Sequence, residues 1–93
     1  MADTAIAHQR AISRAARAKV LAEDDILKEA FTAFEDELMA LWRGTKMDAT
    51  AERERVWIML KAIGRIRQHL QTVISDGKVS AAILEDLVGR NAA

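Results

Sequence analysis

The chain has 93 residues, enough for a single domain. It contains no cysteine, which excludes disulfides and thiolate metal sites, and no proline, so only its four glycines and its polar gaps can interrupt long helices. Its 14 basic and 14 acidic side chains cancel, no apolar run approaches the roughly 18 residues of a membrane span, and the N-terminus lacks the apolar core of a secretory signal. A cytoplasmic protein with no membrane segment is the expectation.

The charge is zero only in sum. Residues 1–22 carry +3, residues 23–42 carry −6, residues 43–69 carry +4 and the remainder −1. Alternating blocks of this kind suit neighbouring helices that pack antiparallel, or subunits that meet with opposite charge. They equally suit solvated helix faces.

The first segment, MADTAIAHQRAISRAARAKVLAE, is rich in alanine and arginine, both good helix formers. Its apolar side is thin, with Ile6, Ile12, Val20 and Leu21 separated by alanines. The composition predicts a loosely packed helix over residues 5–21, acting as a basic arm (residues 1–22) outside the main domain (residues 23–93). Arg10, Arg14, Arg17 and Lys19 are its candidate contacts to nucleic acid or to an acidic partner.

The second segment, EDDILKEAFTAFEDELMALWRG, has Asp24 or Asp25 to cap its start and Gly44 to end it, with Arg43 in the last turn. Leu27, Phe31, Phe34, Leu38 and Leu41 recur at steps of four and three, the seam of a helix that meets another at a shallow angle. Ile26, Ala30 and Trp42 widen the stripe. The linker GTKMD is short, so the next helix is expected to lie antiparallel.

That next helix is the longest periodic run, from Asp48 to Asp76. Val56, Met59, Leu60, Ile63, Ile66, Leu70, Val73 and Ile74 fall on one face of a helix with 3.6 residues per turn. Asp48 or Thr50 is the expected cap and Gly77 the expected stop. Beyond it, Ser80 reads as the cap of a short final helix, with Val79 and Leu84 as a hydrophobic staple and Gly89 as its end. This helix would fold back over Leu70, Val73 and Ile74, leaving residues 91–93 as a frayed terminus. The predicted architecture is all-α: a long antiparallel helical hairpin with a short C-terminal helix and a loosely packed N-terminal helix.

Two large apolar residues, Trp57 and Ile58, lie off the main stripe beside Lys61 and Arg65. A hairpin this small has nothing left to cover them, so Trp57, Ile58, Lys61 and Arg65 are the candidate protein interface, in a homo-oligomer or against another protein. Tryptophan can also cover a hairpin edge with its indole N–H in water.

Chemistry is sparse. His8 and His69 are the only histidines, and His69 has Arg65 and Thr72 at helical spacing instead of a second ligand. Ser13, Ser75 and Ser80 have no histidine in a suggestive local context. GRIR and DGK are not phosphate loops. Neither a catalytic residue nor a cofactor or metal site is predicted, and the chain reads as a non-enzyme. Arg53, Arg55, Lys61, Arg65 and Arg67 form the densest basic set, and pairing with the acidic second segment is their expected role.

The stretch LWRGTKMDATAERERVWIMLKAIGRIRQHLQTVISDGK carries Trp42, then Glu52, Arg53 and Glu54, then Trp57, Leu60 and Lys61, then Arg67, His69 and Leu70, then Gly77 and Lys78. This cadence, over residues 41–78, resembles small helical proteins encoded by tailed bacteriophages and prophages, most of which have no assigned activity. The resemblance implies a phage-type origin and a non-enzymatic role, in the host cytoplasm or the virion, and transfers no functional site. The expected function is therefore helical assembly, as a virion-assembly or packaging accessory. The alternative is a small DNA-binding packaging or regulatory subunit that uses the basic N-terminal helix.

Overall fold

The computed structural model describes residues 2–92. All of its elements are α-helices, as expected: α1 (Ala2–Glu23), α2 (Asp25–Gly44) and α3 (Thr50–Ala92). The described residues fall into two compact units. One is Glu23–Gln68, and the other joins α1, up to Ala22, with α3 from His69 onward.

In the first unit, α2 starts at an Asp24 cap whose carboxylate accepts the Leu27 N–H at 2.8 Å, satisfying one of the donors a helix start leaves open. The helix ends at Gly44, but not through a left-handed glycine, since no glycine here has positive φ. Thr45 closes it instead: its N–H and its hydroxyl both donate to the Trp42 carbonyl, at 3.1 and 2.6 Å. The cap of α3 also differs from expectation. The Ala49 carbonyl accepts the Arg53 N–H at 3.1 Å, so alanine occupies the cap position, and the Thr50 hydroxyl donates weakly to the Asp48 carbonyl at 3.5 Å. A turn from Lys46 to Ala49 with a 3.0 Å hydrogen bond sets this start in place of a side-chain cap.

Contacts spread outward from the linker in antiparallel order. Trp42 lies under Arg53 near the loop, and Phe31 and Glu35 reach Arg67 at the far end. Leu38, Val56 and Ile63 form the buried core, with Phe31, Trp42 and Leu60 packed around them. The seam of α2 thus runs through Leu27, Phe31, Glu35, Leu38 and Trp42. The expected seam through Phe34 and Leu41 is rotated out: these two are 43% and 60% exposed. The apolar stripe of α2 is wider than one partner helix can cover. Trp42, with Arg53 stacked 3.9 Å above its ring centroid, takes the side that is covered. Glu35 joins the seam because Arg67 lies 2.8 Å away. Its Oε1 makes this ion pair and no other polar contact.

The second unit corrects three expectations at once. Gly77 does not stop a helix, Ser80 does not start one and Gly89 does not end one, because α3 is continuous from Thr50 to Ala92. Val79 is exposed and staples nothing. The partner of this half of α3 is α1, not a folded-back tail. Gly77 is buried, and a Cβ built on it would overlap the Ala15 methyl while lying 3.2 Å from the Ala11 carbonyl oxygen and 3.5 Å from the Ala15 Cα. Two helices approach this closely only where both carry minimal side chains. Ala18 is buried in the same unit, and Ser80, 7% exposed, meets the His8 Nδ1 at 2.9 Å. The alanines of α1 are therefore its packing surface, and the predicted loosely packed arm is docked along its length from His8 to Ala18. Of the expected frayed terminus, Asn91 and Ala92 continue α3, while Ala93 lies outside the described residues.

Candidate interaction surface

The hairpin unit leaves two sides of α3 uncovered, and the predicted interface residues fall on one of them. Trp57 is 55% exposed and Ile58 54% exposed, and Lys61 and Arg65 are both exposed. At about 100° per residue, Trp57, Lys61, Arg65 and Ile58 fall in that order within an arc of about 100° on one side of α3. Lys61 places its ammonium 5.2 Å from the Trp57 ring centroid, a cation–π contact on a ring that stays more than half exposed. Trp57 also lines a shallow depression with Trp42, Met47, Thr50, Arg53 and Glu54, at the loop end of the hairpin. Here Arg53 bridges the linker to the core: it stacks on Trp42 and donates to the Thr45 hydroxyl at 3.3 Å.

The other side holds a larger feature. An open groove of about 860 Å³ runs between α2 and α3, lined by Phe34, Leu41, Leu38, Val56 and Met59. Phe34, Leu41 and Met59 are all more than a third exposed. Charge sits on its rims, with Glu37 on the α2 side and Glu52 and Arg55 on the α3 side. Periodicity places Phe34, Leu41 and Met59 on the seam, so it does not reveal this groove. The one signal for it is a stripe of apolar residues too wide for one contact.

The basic residues of α1 are placed differently. Arg10, Arg14, Arg17 and Lys19 are exposed, and the three arginines recur at four- and three-residue steps along one face. Among the described residues none of the four is in an ion pair. The expected pairing of the basic set of α3 with acidic α2 is present for Arg67 with Glu35.

Among the described residues no three His, Asp or Glu side chains come together to hold an ion, and no helix is long and apolar enough to cross a membrane. His8 is engaged with Ser80, while His69 is exposed. No protein-family model matches this chain, and no curated protein or solved structure matches it either.

Proposed function

We propose that this chain is a non-enzymatic helical interaction protein that works by self-association or by docking a protein partner. One observation carries the reading: Trp57 and Ile58, large apolar groups on the longest helix, stand more than half exposed. Tryptophan is enriched at the centres of protein interfaces, where its large apolar ring leaves water and its indole N–H can still find a partner. Lys61 and Arg65 would border the contact and set its register through charge. Together with the resemblance to small phage-encoded helical proteins, this favours a virion-assembly or packaging accessory, found in the host cytoplasm or the virion.

Sedimentation of wild type and Trp57→Ala at matched micromolar concentrations tests the reading. Truncating a central interface tryptophan typically costs about 2 kcal/mol or more, so the variant should move toward monomer while its helicity persists. A wild-type chain that stays monomeric at high concentration would refute self-association and leave only a different protein as partner.

A second reading draws on α1. An exposed row of Arg10, Arg14 and Arg17, with Lys19 exposed on another face of α1 and no carboxylate paired to any of the four among the described residues, suits the phosphate backbone of DNA. Binding carried by these groups should be independent of sequence and should weaken as salt rises, with a log–log slope of roughly −3 for about three or four phosphates contacted. Titrating mixed-sequence duplex DNA at several salt concentrations measures it, and a chain that does not bind at low salt excludes this reading.

A further inference from the structure

We infer that the chain assembles head to tail, with the Trp57 face of α3 in one copy seated on the solvent face of α2 in the next. The inference rests on the self-association reading and names the surface that covers Trp57. In the hairpin each helix turns its buried face to the other, so the two solvent faces lie on opposite sides of the unit. By helical spacing, Glu54, Lys61 and Arg65 are the charged residues of the α3 face, with Trp57 on one side of them and Ile58 on the other. The α2 face turned away from Phe31 and Leu38 carries Asp25, Glu29, Asp36 and Arg43, with Ala33 and Ala40 between them. Glu37 stands at its edge and adds the same sign as Asp36. All of these side chains are exposed, and among the described residues none of the charged ones is in an ion pair. Lys28, Glu52 and Arg55 lie on the flanks of the helices, away from both faces.

The two faces match in sign and in level. Within the hairpin, Trp42 stands opposite Arg53 and Phe31 opposite Arg67, which gives the antiparallel register. A second copy moved sideways without turning lays its α2 on the α3 of the first in that same register. Lys61 then meets Asp36, and Glu54 meets Arg43, so the sign reverses on both helices together toward the loop end. Arg65 falls between Asp36 and Glu29. Ile58 lands on Ala40, and Trp57 comes beside Met39, which is 38% exposed. The alanines let the axes approach closely enough for the large residues of α3 to be covered. Asp25 is level with residues past Gln68 and takes no part. A two-fold contact of α3 on α3 is favoured less, since it opposes two faces of net positive charge and leaves the acidic face of α2 unused. Each copy in the head-to-tail arrangement keeps one face free after binding the next, so the assembly grows past a dimer.

Sedimentation of the full chain over a concentration series tests this. The wild type should pass beyond dimer as concentration rises. Asp36→Lys and Lys61→Glu should each weaken the contact about tenfold or more, because each sets like charges together. The double variant should restore it. Circular dichroism should show unchanged helicity throughout, because both side chains are exposed. A wild type that stops at a dimer, or an Asp36→Lys variant that assembles like wild type, overturns the head-to-tail contact. Should Trp57→Ala monomerise the chain in that case, self-association stands and only this inference fails. A wild-type chain that never associates ends both.

Discussion

Leu38→Ala should lower the stability of the hairpin by about 2–5 kcal/mol, whereas Leu41→Ala on the same helix should change it by less than about 0.5 kcal/mol. Leu38 is 1% exposed and belongs to a three-residue buried core, so its truncation leaves a cavity that two helices cannot refill from a second layer. Leu41 is 60% exposed. Both lie on the seam that periodicity alone draws through α2, which predicts similar losses for the two. Urea melts followed at about 222 nm, the helix band, at concentrations low enough for the chain to be monomeric, separate the two. Equal losses would mean that α2 is rotated so that Leu41 faces α3.

Gly77→Leu should strip α1 from α3, while the same change at Gly64 should be neutral or slightly stabilising. At Gly77 the first added carbon already meets Ala15 and the Ala11 carbonyl, and the Ala15 Cα and Ala11 oxygen are backbone atoms that no rotamer can move. Overpacking of this kind costs about 1–3 kcal/mol, and occasionally more. At Gly64 nothing lies within 4 Å of an added Cβ, so leucine there only exchanges a poor helix former for a good one, worth about 0.5–1 kcal/mol. Hydrogen exchange resolves where the loss falls. In Gly77→Leu the amides of α1 should exchange far faster, while α2 and α3 up to Gln68 keep the protection of wild type, since their core of Leu38, Val56 and Ile63 is untouched. Protection of α1 that survives the substitution would show that the close approach of Ala15 to Gly77 is not what docks it.

Both predictions turn on features of which periodicity carries only half. The stripe from Val56 to Ile74 identifies α3, and Asp24 identifies the start of α2, because each is a local rule about 3.6 residues per turn or about one unsatisfied N–H. The exposure of Trp57 and Ile58 is legible for a similar reason: they stand off the stripe, and a short chain has no second layer to cover them. The groove of Phe34, Leu41 and Met59 is not legible. Which edge of a wide stripe faces the partner is settled by the partner's own side chains, here by Arg53 on Trp42 and Arg67 on Glu35.

Composition, spacing and the absence of proline are enough to give the helical class, the position of α2 and the place where the long helix begins, since all three are local properties of the chain. Where that helix stops, and what α1 does, depend on contacts between residues more than sixty positions apart, such as His8 with Ser80. A glycine between two apolar runs is locally a good stop, and a serine after it a good cap. Neither signal outweighs a helix that gains a packed partner by continuing. Gly77 and Ser80 are where Ala15 and His8 dock, so residues that punctuate a chain in isolation become, once α1 lies against them, the reason the helix runs on.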